Sequence, residues 1–320
     1  MTLLTPRGGV EVRRRFGRSG CAWRVALLLL LAPAVPTRAE LAGDVHRLWI
    51  QASDGAIRHR DLVQPSKDSL IAMGMPAVPY LLPYLHTEDA REKHAITDIF
   101  KGIGPEAVPS LVSVLGSGGE YHTKHTLMAL GKIGDSASTS QVIPFLRDSL
   151  ASVRTEAAET IGKSGGTQAE AALFSVLHDS VESVRKSAVV GLGRLARPGS
   201  ADSLVWALSD SWFGVRYAAA LALVHIDSGQ VALERARGLS GRPRALVLHA
   251  LGTAGTPGAI EVAWGLVADP DPKVRAEAAR IVARAATGPK NFNRIEALLS
   301  TETDPVARYH YRTALESLAE

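Results

Sequence analysis

The chain has 320 residues, 46% of them hydrophobic and only 5% aromatic. That is length enough for a large core, and abundant Ala, Leu and Val with few large rings predicts helices packed through small side chains. The formal charge of +4, from 36 basic and 32 acidic residues, is concentrated at the N-terminus and does not describe the rest of the chain.

Residues 1–39 read as a secretory signal peptide. Arg7, Arg13, Arg14, Arg15, Arg18 and Arg24 precede an apolar run of 11 residues, 25–35. Thr37 and Ala39 then put small residues at −3 and −1 of a cleavage point before Glu40. The competing reading is an uncleaved anchor, which needs about 20 apolar residues. Arg13-Arg14-Arg15-Phe16 also resembles a twin-arginine export motif, a match that Arg-rich segments produce by chance. Cleavage removes seven Arg and Glu11, leaving 29 basic and 31 acidic residues, a net charge of −2. Such a chain lacks the basic footprint of nucleic-acid binding. Cys21, the only cysteine, leaves with the segment, so no disulfide is expected. The expectation is a periplasmic or secreted protein with no stable membrane span.

Residues 40–73 are the least regular. Leu41, Val45, Leu48 and Trp49 fall at helical spacing, and a second short helix is expected over 66–73. These helices are expected to form a cap, because the end of a stacked array differs from its middle.

From Gly74 the chain repeats. Gly74, Pro76, Ala77, Val78 and Pro79 return 30 residues later as Gly104, Glu106, Ala107, Val108 and Pro109, with Pro105 beside them. The first position of each second helix gives the register: Lys93, Thr123, Arg154, Arg185, Arg216, Arg244, Arg275 and Arg308, at steps of 30, 31, 31, 31, 28, 31 and 33. Gly104, Gly134, Gly165, Pro198, Gly229, Gly255 and Gly288 are read as helix stops. Within the second helices Val184, Ala188, Leu192 and Leu195 make one apolar stripe, and Val274, Ala278, Ala279, Val282 and Ala285 another.

Asp148, Asp179, Asp210 and Asp269 each lie six residues before Arg154, Arg185, Arg216 and Arg275. The Asp is expected to accept from free N–H groups of the helix that follows. The Arg is expected to bridge to the loop Asp of its own or the adjacent unit. These eight residues would then form a structural ladder, in preference to an anion-binding row.

The D-x5-R spacing, the Val-Arg pairs and endings such as Leu130-Gly131-Lys132-Ile133 resemble HEAT repeats. They are most similar to the short HEAT-like repeats of the phycocyanobilin-lyase type. The resemblance covers residues 74–320 and implies an all-α fold, an α-solenoid (superhelix) of about eight HEAT-like helical hairpins, right-handed in its winding. The early units depart from the pattern: Lys93 and Thr123 replace Arg and lack the Asp. Gly238 stands where the Arg244 unit should have Asp. Domain organisation is therefore read as signal peptide 1–39, helical cap 40–73 and repeat solenoid 74–320. Bilin-lyase activity is not expected of an exported chain, and fold alone does not give function.

Candidate chemistry is sparse. His122 and His125 share a helical face, with Glu120 the only obvious third ligand, short of a zinc set. The chain carries no His-Glu dipeptide or phosphate-binding Gly loop. No catalytic residue, metal or cofactor is assigned, and an enzyme or maturation factor using His122 and His125 is the alternative reading.

A surface row is more informative. The second and fifth positions after each register residue are expected to face outward. The row is polar at Glu156/Glu159 and Glu277/Arg280, and apolar between them at Val190, Leu221 and Leu246, with His249 and Tyr217 beside them. The preceding loop carries Trp212 and Phe213. These seven residues form the expected docking surface for a protein or peptide. Against this, the two aromatics could fold onto a neighbouring loop, and the helical phase could be off by one. Trp206 and Trp264 are expected in the core.

Overall fold

The computed structural model describes residues 37–55, 60–285 and 289–319, and the described residues are helical with no strand. Most of the expected signal peptide, including Cys21, and the expected stop at Gly288 lie outside them. Residues 1–44 and 45–320 form two compact units. Of the first, only the opening of helix α1 (Arg38–Ser53) is described. No helix among the described residues is long and apolar enough to cross a membrane.

Within the second unit α1 buries Val45, Leu48, Trp49 and Ala52. Trp49 stacks on Tyr84 at 4.5 Å, fastening this helix to the first repeat. Helix α2 spans Val63–Met73, three residues longer than expected, with Pro65 in its first turn where a missing N–H costs nothing.

Hairpins follow. The first helices are α3 (Val78–Leu81), α5 (Val108–Val114), α7 (Thr139–Val142), α9 (Ala169–Phe174), α11 (Ala201–Ala207), α13 (Gln230–Gly238), α15 (Ala259–Leu266) and α17 (Pro289–Thr301). The second helices are α4 (Ala90–Ile103), α6 (Gly119–Ile133), α8 (Ala151–Ser164), α10 (Glu182–Leu195), α12 (Phe213–His225), α14 (Gly241–Ala254), α16 (Pro272–Ala285) and α18 (Pro305–Ala319). This is an α-solenoid. Each second helix packs on the next, which buries apolar faces that a lone hairpin would leave open.

Small residues set that spacing. A Cβ on Gly162 of α8 would come within 2.5 Å of the Gly191 Cα of α10, and one on Gly193 within 2.7 Å of the Ala222 Cβ of α12. Most stops act as read: Gly104, Gly134, Gly165 and Gly255 follow their helices at positive φ. The stop near Gly229 does not. Helix α12 ends at His225, and Asp227 (φ 46°) and Ser228 (φ 52°) take the left-handed turn ahead of Gly229. Helix α10 likewise ends on Ala196 (φ 50°), two residues before Pro198.

The Asp side chains act one residue earlier than expected. Asp148, Asp179 and Asp210 accept from the backbone N–H of Leu150, Val181 and Trp212, which are the residues preceding each helix and not members of it. The Arg bridges lie between units. Arg154 pairs with Asp179 through Nε and Nη2 at 2.8 and 2.9 Å, while Nη1 donates to the Asp148 carbonyl of its own loop. Arg185 repeats this with Asp210, Arg275 uses Glu302, and Arg244 reaches Asp269. Arg216 has the own-loop bonds but no carboxylate among the described residues.

Candidate binding surface

The fifth positions after the register residue are at least partly open along the stack: Asp98, Met128, Glu159, Val190, Leu221, His249, Arg280 and Thr313. The second positions are not uniformly so. Ala95, His125, Ser187 and Ala218 are buried, correcting the expected phase. The exposed companion of the fifth position is more often the first, as Lys186 and Tyr217 show. The cause is geometric: a second helix has neighbours on both sides as well as its own first helix beneath, so its open arc is narrower than that of an isolated amphipathic helix.

On this row the seven residues singled out from sequence stand together. Val190, Tyr217 and Leu221 line an apolar cleft between α10 and α12. Phe213, Tyr217, Leu246 and His249 line a second one that runs to α16 and Val306. Trp212 lies with Val190 and Lys186 over a third, towards α8. Tyr217 is shared by the first two and Val190 by the first and third, so the clefts are continuous. The rings form a chain: Phe213 stacks on Tyr217 at 5.8 Å, and Tyr217 meets the His249 ring at 6.0 Å.

Trp212 and Phe213 do not fold away. They are 41% and 58% exposed. Local sequence explains how. Gly214 leaves room for the Trp212 ring across the start of α12, because a Cβ there would fall 2.3 Å from it. The Lys186 ammonium sits 5.8 Å from the Trp212 ring on one side, and the Arg216 guanidinium 5.7 Å from the Phe213 ring on the other.

The rim is cationic. Lys186, Arg194, Arg216, Arg242 and Lys273 line these clefts and make no ion pair among the described residues. The acids beside them are engaged: Glu159 with Lys163, Glu277 with Arg280 and His249, and Asp210 with Arg185. Val306 and Tyr309 extend the apolar row onto α18, 52% and 65% exposed, and sequence reasoning missed them. Their signal was the aromatic Tyr309 at the first position of the last unit, where Tyr217 stands in its own unit.

Two expectations fail on the first helices. Trp206 is 48% exposed, with its ring 4.3 Å from His178. Trp264 is half-buried under the Arg294 guanidinium, 3.7 Å away. Trp206 lies off the buried stripe of Ala201, Leu204 and Ala207, and Trp264 off that of Ala259, Val262 and Ala263, so at about 100° per residue both rings turn away from the core.

His122 and His125 are buried, 3% and 4% exposed. Burial pushes both imidazoles below their usual range, with the nearby His86 and His125 adding to the effect at His122. His125 Nδ1 donates to the Leu85 carbonyl at 2.9 Å, tying α6 to the first repeat where the Arg rung is missing. His122 stacks on His86 at 4.3 Å. Glu120 instead accepts from Ser152 and Lys124. Among the described residues, no group of three or more His, Cys, Asp or Glu side chains converges as a metal site.

Sequence reasoning also passed over Glu156, which it placed on the open row. Its Oε1 is enclosed without a hydrogen bond. Burial, reinforced by the charge of Glu159, pushes its carboxyl up to about 7.

Comparison with known proteins places this geometry in a family. The model of HEAT repeats matches residues 108–189, 139–224, 170–243 and 229–316, which together cover more than half of the chain. The chain is a HEAT-repeat protein. No curated protein matches it by sequence. Solved structures with similar folds include the complex of CpcE and CpcF of phycocyanin lyase from Nostoc sp. PCC7120, at 22% identity and TM-score 0.43, covering 46% of this chain and 97% of that one. An engineered protein is 19% identical with TM-score 0.38, covering 92% and 98%. Human deoxyhypusine hydroxylase in complex with glycerol is 19% identical with TM-score 0.29, covering 87% and 97%. At these identities and TM-scores none of them says more of this chain than the family model does.

Proposed function

We propose that this HEAT-repeat protein is an exported scaffold or adaptor that binds a protein or peptide along the row of second helices, centred on Trp212, Phe213 and Tyr217. The observation that carries the reading is the exposure of two adjacent aromatics beside continuous apolar clefts, on a layer that is polar at Glu159 and again at Glu277 and Arg280. Large, rigid, exposed rings over an apolar floor supply contact area at low entropic cost, which is how interface hot spots are built. No residue constellation on this surface supplies a nucleophile with its base, so the row is read as binding and not as catalytic.

Export rests on the signal-peptide pattern of residues 1–39. N-terminal sequencing of protein purified from its native compartment tests it, with Glu40 as the first residue expected. The docking face is tested by a photo-crosslinking amino acid placed at Tyr217 or, on the other face, at Trp206. Crosslinks to a protein partner from Tyr217 and none from Trp206 support the reading; the reverse pattern contradicts it.

A further inference from the structure

The ladder has one open rung, at Arg216. In the complete rungs the guanidinium is divided between two tasks. Nη1 donates to carbonyls of its own loop, and the Nε/Nη2 edge grips a carboxylate of the next unit, as Arg154 does with Asp179, Arg185 with Asp210 and Arg275 with Glu302. Arg216 is anchored in the same way, with Nη1 donating to the Asp210 and Ser211 carbonyls, both at 2.8 Å. On its other edge Nε is enclosed with no partner, and Nη2 makes no hydrogen bond among the described residues. The reason is in the sequence. The step to the next register residue is 28 instead of 31, and the shortened loop carries Gly238 in place of Asp. Arg244 also encloses an unpaired Nε, but its Nη1 engages Asp269, so that rung is closed.

A cleft of about 400 Å³ opens beside Arg216, with Arg242, Lys273 and Pro243 also in its wall. Two acids share that wall. Asp210 is neutralised by Arg185, and Asp271 caps its own turn by accepting from the Lys273 backbone N–H. Three cations and the charged Asp271 carboxylate therefore line this cleft, a net positive wall beside Arg216. Arg216 and Lys273 also line the apolar cleft of Phe213, Tyr217 and Leu246, so this space is continuous with the proposed docking row. An enclosed guanidinium edge without an acceptor is costly, and a planar fork held by its remaining N–H groups loses little entropy on taking a carboxylate.

We propose that the open rung is a carboxylate-recognition site: the free Nη2 edge of Arg216, supported by Arg242 and Lys273, binds an Asp or Glu side chain of a docked peptide whose neighbouring apolar residues occupy the Phe213–Tyr217–Leu246 cleft. The inference rests on the reading that the second-helix row docks peptides, and it specifies the partner as acidic as well as apolar.

The test uses the full chain from residue 40 and a random 12-residue display library. The tightest selected peptide is synthesised with its acid intact or changed to Gln or Asn, and both forms are titrated against wild type, Arg216→Lys and Leu221→Glu, with helicity checked by circular dichroism. Selected peptides are expected to carry an acid at a fixed distance from an aromatic or aliphatic residue. Removing the acid or making Arg216→Lys should each weaken binding about tenfold, and the two together no more than either alone. If peptides lacking acids are selected, or both changes leave affinity within about twofold while Leu221→Glu abolishes it, the carboxylate site is overturned and the docking row stands. If no selected peptide responds to Leu221→Glu, the docking reading fails and takes this one with it. Inorganic phosphate provides the last arm: if it displaces the peptide through Arg216 where N-acetylglutamate amide does not, the site is one for inorganic anions and the proposal is wrong.

Discussion

Arg185 and Asp210, 25 residues apart, meet fork to fork, with Nε–Oδ2 at 2.8 Å and Nη2–Oδ1 at 2.9 Å. The same Asp210 carboxylate also accepts from the Trp212 backbone N–H at 2.8 Å. One carboxylate thus joins two repeats and fixes the backbone that presents the exposed aromatics. The ladder and the docking surface share this residue.

Breaking a complete rung tests the ladder. Asp179→Asn leaves the Arg154 fork without its charged acceptor and should cost about 1–3 kcal/mol at pH 7, read as a lower urea midpoint with unchanged slope. The bonds from Arg154 hold the Asp179 carboxyl below its usual value. A depressed folded pKa stabilises above the unfolded value of about 3.9 and is lost as pH falls through the folded pKa. The difference between variant and wild type should therefore persist at neutral pH, begin to shrink below pH ~3.9 and vanish only once the pH is below the folded pKa.

Glu156 has the opposite sign. Its folded pKa of about 7 exceeds its unfolded value, so the folded state holds the proton more tightly and stability falls as pH rises between them. Glu156→Gln should match wild type near pH 4 and exceed it by up to ~3 kcal/mol at pH 8. Thermal unfolding across that range checks it. A wild-type melting temperature that does not fall from pH 5 to pH 8 relative to the variant would contradict the assignment.

Gly162→Ala should destabilise by about 1–3 kcal/mol, the usual cost of overpacking, because the new methyl meets the Gly191 backbone at 2.5 Å and backbone yields less readily than a side chain. Gly214→Ala should differ: the atom it meets is the tip of the Trp212 ring, which can swing away. Chemical denaturation separates the two, with a clear loss of stability for Gly162→Ala and little for Gly214→Ala.

The repeat was readable because its signals are local and periodic: an Asp six residues before an Arg, glycine at left-handed stops, and a helical stripe of Ala, Leu and Val. The same signals left open which carboxylate each Arg takes. Both units supply an acceptor, a carbonyl from its own loop and a carboxylate from the next, and only the fork geometry divides them. Trp206 and Trp264 were misplaced because they were given the apolar phase of their helices when they lie off it, beside Leu204 and Ala207 in one helix and Val262 and Ala263 in the other. Glu156 and the buried His125 were unreadable for a related reason, whereas His122 stands at the phase of Val184 and Val274 and its burial was legible. Second helices are enclosed on both sides, so a polar residue at a nominally open phase is covered. The open rung at Arg216 was half readable: the absence of Asp at Gly238 was plain, but its consequence falls on the preceding unit.

The central claim is that the second-helix row around Trp212 and Tyr217 holds a protein or peptide partner. It is tested most directly by recovery of partners from the native compartment with wild type and the Trp212→Ala, Leu221→Glu double variant, both verified as fully helical. The account predicts that the partners bound by wild type are lost from the double variant. Recovery of the same partners in the same amounts would contradict it.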